Sequence, residues 1–289
     1  MKDRISRDNL SIIAAGVAFY ALLAIFPALI ALVGVYGMIF DPHQVNEHLS
    51  MLTAVLPGEA ATLIGDQLAE VTTMEKTSLG VGSIAAILLA LWSASAGMRT
   101  LMTALNVAYG EQEKRGTIRF YGTSLLLTLG AVLGALIAIA TVVAIPVALR
   151  FLGLDERLEN IVSYARWPLL AAVMLVGLAI VYRYGPDRAK PMWRWVSWGA
   201  IAATVLWIGG SALFSLYVTK FGDYNKTYGS MGAVVILMTW FLLTAYMFLI
   251  GAEINAEMER QTRKDTTEGA EKPLGGRGAQ AADTVGGTP

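Results

Sequence analysis

The chain has 289 residues, of which 55% are hydrophobic and 15% are charged, and its formal net charge is zero. Soluble domains usually carry about 25% charged residues, so the composition predicts a membrane protein, and zero net charge argues against a nucleic-acid-binding surface as its main role. The lack of cysteine excludes disulfides and cysteine nucleophiles, and having only His43 and His48 excludes an imidazole-rich metal cluster.

Six long apolar runs predict an all-α polytopic protein with six transmembrane helices. The first run is about twice the length of a signal-peptide core, so a retained span is expected, which Pro27 kinks or divides. The last run, Gly229 to Ala252, would form a helix of about 36 Å, enough to cross a hydrocarbon core of about 30 Å. The predicted spans are about 12–40, 79–98, 121–149, 163–182, 195–221 and 229–252, all within a transmembrane domain of residues 1–256.

Two segments differ in character from the spans. In residues 43–75 apolar residues recur at three- and four-residue steps on both sides of Pro57-Gly58, which predicts extracytoplasmic amphipathic helices. Two interpretations of these helices are open: a cap packed on the membrane domain, or a gate over a cavity. Residues 257–289 are rich in charge, Gly, Thr and Ala without a hydrophobic period, which predicts a disordered cytoplasmic tail.

The placement of Lys and Arg predicts the orientation. With six crossings, the segments on the side of the N-terminus hold 16 of these residues and the segments on the other side hold 6. Because cytoplasmic segments carry the excess of Lys and Arg, both termini are expected in the cytoplasm. The predicted location is the bacterial cytoplasmic (inner) membrane.

None of the six apolar runs has an ionisable residue near its middle, and Glu253, Asp187 and Lys220 lie at edges. Proton- or ion-coupled transport of a polar solute is therefore disfavoured, and a lipid-like molecule suits such walls better. Glu111 and Glu113 are interpreted as solvated surface without matching partners. We accordingly predict no catalytic residues, no metal and no cofactor.

A first candidate site lies before the sixth helix. The free N–H groups and positive dipole end of this helix should follow Tyr228-Gly229-Ser230, and Lys220 and Lys226 are close in sequence. Together these residues would hold an anionic headgroup in the outer leaflet. The alternative is a tight turn with Ser230 as helix N-cap.

A second candidate site is the basic cluster between the fourth and fifth spans. It consists of Arg183, Arg188, Lys190 and Arg194. Topology alone accounts for these charges, but basic clusters at the cytoplasmic face also contact anionic lipid headgroups. The aromatic residues near the span ends are interpreted as interfacial anchors; they are Trp193, Trp195, Trp198, Tyr224 and Tyr228. Asn106 and Tyr109, where the second helix leaves the membrane, are assigned a capping or packing role.

Several blocks together resemble the YihY/BrkB family of bacterial inner-membrane proteins. They are Ala18–Pro27, Trp92–Gly97, Ala104–Gly110, Tyr182–Pro186, Tyr228–Ser230, Trp240 and Gly251–Asn255, and they run in order from residue 12 to residue 255. The resemblance implies a six-helix cytoplasmic-membrane protein. It also implies a link to serum resistance, as in a virulence factor, and to envelope lipid traffic. The ribonuclease BN label that the family long carried is regarded as mistaken, and the resemblance supplies no catalytic residues.

The sequence thus predicts a protein that transports or handles lipid or another amphipathic envelope molecule, with membrane lipids as partners and no nucleic acid. The alternative from another class is a non-transporting membrane scaffold. A ribonuclease is the third and least favoured reading. The cargo, the direction and energy source of transport, and the oligomeric state are not readable from the sequence.

Overall fold

A computed structural model describes residues 9–39, 81–139, 141, 156–221 and 230–284. The regular structure of these residues is helical, apart from one isolated bridge between Pro191 and Thr267. This confirms the prediction of an all-α protein. In chain order the helices are α1 (Leu10–Ile39), α2 (Val81–Tyr109), α3 (Thr117–Ile139), α4 (Glu156–Tyr184), α5 (Trp193–Phe221), α6 (Ser230–Arg260) and the short α7 (Gln280–Asp283).

Four of the described helices are long and apolar enough to cross a membrane. The qualifying stretches are Thr117–Ala138, Tyr164–Tyr184, Trp193–Thr219 and Val234–Arg260, with mean hydropathies between 1.8 and 2.2. Leu10–Ala24 is a shorter apolar helix by the same measure. Helix α1 continues through Pro27 as one helix, so the proline does not divide it. The amphipathic helices predicted in residues 43–75 lie outside the described residues.

The chain divides into two compact units. The larger unit comprises residues 1–19 and 98–289, and its core combines the start of α1 with the end of α2 and parts of α4, α5 and α6. Leu10, Leu105, Tyr182 and Leu249 are fully buried there. These side chains fill the space between the helices, so the ends of several helices are joined around one core.

Close packing between α5 and α6 depends on two glycines. A Cβ atom added at Gly199 would overlap the carbonyl oxygen of Gly251, and one added at Gly251 would lie 2.5 Å from Oη of Tyr182. No side chain fits at either position without movement of the backbone. Small residues allow helices in membranes to approach in this way, and here they bring α4, α5 and α6 together.

The smaller unit comprises residues 20–97, the later part of α1 and the first part of α2. A Cβ atom added at Gly97 would lie 3.6 Å from the Cα atom of Ala21, which is ordinary contact distance. The small residues of Trp92–Gly97 therefore allow α2 to approach α1 closely at this point. The hydroxyl of Ser95 donates a hydrogen bond to the carbonyl oxygen of Trp92 within the helix.

The structure corrects the prediction of a disordered tail from Glu257. Helix α6 continues to Arg260, and residues 261–284, which we call the strap, have defined positions. The strap lacks the apolar period on which the prediction was based. Thr266 and Arg277 are nevertheless buried in it. Hydrogen bonds and ion pairs hold this segment, together with the burial of Ala281 in the core.

Candidate functional site

Charged and polar side chains of the larger unit gather where the strap meets two interhelical loops. We call this region the polar cap: the loops 110–116 and 185–192, the end of α6, and the strap. Its parts are separated in sequence by up to 169 residues, since the backbone N–H of Gln280 donates to Oε1 of Glu111 at 2.6 Å. The polar cap therefore connects the segments that follow α2, α4 and α6.

A fully buried ion pair lies at the centre of the polar cap. Nη2 of Arg188 is 2.5 Å from Oε2 of Glu259, and both side chains are 0% exposed. The hydroxyl of Thr266 donates to the same carboxylate oxygen at 2.9 Å, and the guanidinium lies 4.7 Å from the ring centre of Tyr109. Buried charges persist only when they are paired and hydrogen-bonded, so Arg188 and Glu259 stabilise each other in place.

Asn255 connects three helices next to this pair. Its Oδ1 accepts from the backbone N–H of Gly199 at 2.7 Å, and its Nδ2 lies 3.3 Å from both the Val196 carbonyl oxygen and the Tyr109 hydroxyl. The residue is fully buried. A buried amide with its donors and acceptor satisfied fixes one arrangement of its neighbours, so Asn255 sets the register of α6 against α5 and α2.

The strap pairs with the loop that follows α4. Nη2 of Arg183 is 2.7 Å from Oε2 of Glu268, and Nη1 donates to the carbonyl oxygen of Pro191. The backbone adds hydrogen bonds of 2.9 Å from Met192 N–H to the Thr266 carbonyl and from Glu268 N–H to the Lys190 carbonyl. The Arg183 guanidinium also lies 4.6 Å from the ring centre of Trp193.

Inside the strap, Arg277 holds the turns together. This residue is 3% exposed, and its guanidinium donates to backbone carbonyls on both sides of it in sequence. The acceptors are the carbonyl oxygens of Arg263, Lys264, Lys272 and Ala282, at distances from 2.5 to 3.3 Å. A single side chain thereby satisfies backbone groups that otherwise lack partners.

Two aspartates cap backbone N–H groups of the strap. Asp265 accepts from Thr267 N–H and Lys272 N–H at 2.8 Å, and Asp283 accepts from Gly275, Arg277 and Gly278 N–H at 2.8 to 3.0 Å. Desolvation opposes their ionisation, but these hydrogen bonds outweigh it and lower the pKa of both carboxyl groups. Both aspartates therefore stabilise the strap in their charged forms.

The loop after α2 corrects the view that Glu111 and Glu113 lack partners. Glu113 forms a two-point contact with Arg115, with oxygen-to-nitrogen distances of 2.7 Å, and accepts from Nδ2 of Asn106 at 2.9 Å. The hydrogen bonds from Arg115 lower the pKa of Glu113. Burial raises the pKa of Glu111, against the lowering effect of the Gln280 N–H group.

Asn106 and Tyr109 have the structural roles that we predicted for them. Oδ1 of Asn106 accepts from the backbone N–H of Asp187 at 2.7 Å, which links the end of α2 to the loop after α4. Tyr109 is fully buried. The contacts that Asn106 and Tyr109 make in the polar cap therefore explain the Ala104–Gly110 block by a packing role.

A groove borders the polar cap where α5 begins. Its volume is about 400 Å³, and it is lined by Arg194, Trp195, Trp198, Met258, Thr262 and Lys264. Arg194 and Lys264 are exposed, and neither forms an ion pair with the described carboxylates. We call this feature the basic groove.

The structure divides the four residues of the basic cluster. The guanidinium groups of Arg183 and Arg188 are buried and paired, with Glu268 of the strap and Glu259 of α6 respectively, so they are part of the protein interior. Lys190 is exposed, with its ammonium 5.3 Å from the ring centre of Tyr184, and Arg194 is exposed on the basic groove. Of the four residues, only Lys190 and Arg194 remain available to a ligand.

The first candidate site stays a prediction. Lys226, Tyr228 and Gly229 lie outside the described residues, while Lys220 lies near the end of α5 and Ser230 begins α6.

The sequence reasoning missed the residues that α6 and the strap contribute. Glu259 and Glu268 are the carboxylates that neutralise the two buried arginines, and Lys264 and Thr262 form one wall of the basic groove. One signal was available: acidic residues follow the sixth span at short intervals, opposite in charge to the loop after the fourth.

Among the described residues no group of three His, Asp or Glu side chains is arranged to hold a metal ion.

Long apolar helices, with charge collected in a cap at their ends, define the class: a helical polytopic membrane protein. Within that class, residues 1–274 match the family model described as virulence factor BrkB, so the chain belongs to the BrkB family. This confirms the resemblance drawn from the sequence blocks.

Relatives at full length agree with this assignment. The chain is 32% identical to the ribonuclease-like protein YfkH of Bacillus subtilis, over 86% of this chain and 90% of that protein. It is 29% identical to a UPF0761 membrane protein of Idiomarina loihiensis, over 89% and 88%, and 26% identical to another from Psychromonas ingrahamii, over 89% and 85%. No solved structure matches the chain.

Proposed function

We propose that this protein transports or handles lipid or another amphipathic molecule of the bacterial envelope. One observation supports it above the others. The middle parts of the four described spans contain no Asp, Glu, Lys, Arg or His, while the described charges concentrate at the helix ends around the polar cap. Only 11% to 17% of the residues in each span are buried within the chain. Such surfaces suit acyl chains better than a polar solute.

The proposal includes six crossings with both termini in the cytoplasm. The segments that follow α2, α4 and α6 meet in one polar cap, and Leu10 at the start of α1 packs into the same core. An even number of crossings between these points accounts for that arrangement, and the excess of Lys and Arg gives the cytoplasmic side.

Reporter fusions test this topology. Alkaline phosphatase, which is active only outside the cytoplasm, should be inactive when fused after Glu113, Asp187 or Ala270 and active when fused after His48, Asp155 or Asn225. Activity of a fusion within the polar cap would contradict the assigned orientation.

Lipid movement is tested in reconstituted liposomes. We expect fluorescent phospholipids to change leaflets faster in vesicles with the protein than in empty vesicles or in vesicles with an unrelated six-span protein. Folding in the vesicles is checked by protease protection of the strap. Rates equal to both controls for every envelope lipid tried would overturn the proposal.

A non-transporting scaffold is the second candidate, because the densely hydrogen-bonded polar cap gives the chain a rigid surface on one side. A scaffold predicts a stoichiometric protein partner after chemical cross-linking in native membranes and no lipid movement.

We do not propose an enzyme. The ribonuclease-like name belongs to the Bacillus subtilis relative, and metal-assisted phosphodiester cleavage needs clustered metal ligands or a positioned acid–base pair. Highly purified protein is expected to leave labelled RNA intact with and without Mg²⁺. Cleavage that co-elutes with the protein and disappears with chelator would show otherwise.

A further inference from the structure

We propose that the basic groove binds the phosphate of an anionic phospholipid headgroup. This inference deepens the proposed function and rests on it for the membrane setting. It concerns Arg194, Trp195 and Trp198 on α5, Met258 on α6, and Thr262 and Lys264 on the strap.

The charge of the basic groove is uncompensated. Arg194 and Lys264 face it from two separate segments, and within the described part of the chain neither is paired with a carboxylate. The contrast with the buried arginines of the polar cap is clear, since Arg183 and Arg188 each have an acidic partner. Two cations without an acidic partner in one concave site favour an anion.

The start of α5 adds to this preference. Arg194 and Trp195 belong to its first turn, and that turn contains no acidic residue. The first N–H groups of a helix lack partners within the helix and carry its positive dipole end. A phosphate in the basic groove would lie beside this end as well as beside the two cations.

The aromatic walls indicate a lipid rather than a soluble phosphate. Trp198, which lines the groove, is 58% exposed, and Trp193, the first residue of α5, is 49% exposed. Both lie at the end of the apolar stretch Trp193–Thr219, where indole rings favour the headgroup level of a bilayer. A volume of about 400 Å³ is within the range of small-molecule sites.

The strap supplies one wall of the basic groove, so headgroup binding and strap docking are linked. Asp265, the residue after Lys264, accepts hydrogen bonds from Thr267 N–H and Lys272 N–H, which hold this part of the strap in place. A ligand that contacts the docked strap stabilises the docked form. The groove is thus complete only when the polar cap is assembled.

The test titrates short-chain phosphatidylglycerol into the full chain in neutral detergent and counts bound lipid by native mass spectrometry. In the double variant Arg194→Gln/Lys264→Gln we expect the affinity to fall about tenfold for each cation removed. The control is Arg263→Gln/Lys272→Gln, which removes the same charge from exposed strap residues that do not line the groove. It should bind as the wild type does.

A second variant protects the test against misfolding. Arg194→Lys/Lys264→Arg keeps both charges and should retain binding. Equal affinity in the wild type and the Gln double variant, or an equal loss in the control, would overturn the site. Competition by inorganic phosphate at the same concentration as the lipid would overturn the lipid assignment. Because binding is measured without lipid movement, failure of this site and failure of transport are separate results.

Discussion

In the membrane spans, helices meet through the smallest residues, whereas in the polar cap they meet through the largest charged ones. Gly199 and Gly251 let two backbones touch, and the Asn255 amide accepts a hydrogen bond from the Gly199 N–H beside that crossing. Arg188 and Glu259 are buried completely, so each charge needs the other as its partner. The packing of the spans therefore depends on the shape of the helix surfaces. The packing of the polar cap depends on paired charges and hydrogen bonds. Each region should fail under a different kind of substitution.

The largest effect is expected from Arg188→Met. It leaves the Glu259 carboxylate buried without its cation, which should lower the free energy of unfolding by about 3–5 kcal/mol. Unfolding in mixed detergent micelles, followed by circular dichroism, measures the change. The double variant Arg188→Met/Glu259→Met should recover much of the loss, because no charge then remains unpaired. A single variant as stable as the wild type would show that the pair is not needed.

Arg277→Met should release the strap without unfolding the spans. Losing its hydrogen bonds to four backbone carbonyls should cost about 2–3 kcal/mol in local stability. Hydrogen exchange in residues 262–284 is expected to accelerate roughly 30-fold or more, while exchange in α5 stays unchanged. Arg263→Met, at an exposed position of the same segment, is the matched control. Equal acceleration in both variants would argue against the role of Arg277.

Gly199→Ala tests the region that depends on shape. The added methyl group would overlap the Gly251 carbonyl oxygen, and overpacking of this kind costs about 1–3 kcal/mol. Gly209→Ala is the control on the same helix, where an added Cβ meets nothing within 4 Å. Thermal unfolding in detergent compares the two. A smaller loss for Gly199→Ala than for Gly209→Ala would contradict the close crossing.

Acid should loosen the polar cap and leave the spans intact. The pKa of Asp265 and of Asp283 is lowered in the folded strap, so their stabilisation is present above the unfolded value of about 3.9. It is lost as the pH falls through the lower folded values. Glu111 acts in the opposite direction, since its pKa is raised.

Hydrogen exchange of the strap, corrected for the intrinsic rate at each pH, measures this loss. The variant Asp265→Asn/Asp283→Asn should be less protected at neutral pH and should change little on acidification. A strap whose protection is the same at pH 7 and pH 3 would contradict the prediction.

The membrane spans, which depend on apolar character, could be predicted from the sequence. The run from Gly229 to Ala252 is continuous and uncharged, so a span was expected there, and Val234–Arg260 qualifies as one in the structure. The helix ends were less accurate. Helix α2 extends to Tyr109, eleven residues beyond the predicted span, because amphipathic residues after Met98 continue the helix into the polar cap.

The polar cap was not predictable by the same means. Residues 261–284 have no hydrophobic period, and a composition rich in charge and glycine is typical of disorder. What orders them is specific pairing, such as Glu268 with Arg183, across 85 positions of sequence. No local pattern records that Arg183 has a partner so far along the chain. The interpretation that membrane topology alone accounts for the basic cluster of Arg183, Arg188, Lys190 and Arg194 was therefore incomplete.

The backbone pairing of the strap with the loop after α4 has a consequence for biosynthesis. The ribosome makes Arg183 and Arg188 long before Glu259 and Glu268, so both arginines must wait for their carboxylates while α5 and α6 are inserted. The bridge between Pro191 and Thr267 can form only after α5 and α6 have been made. Until then both guanidinium groups lack the acidic partners that the folded chain gives them.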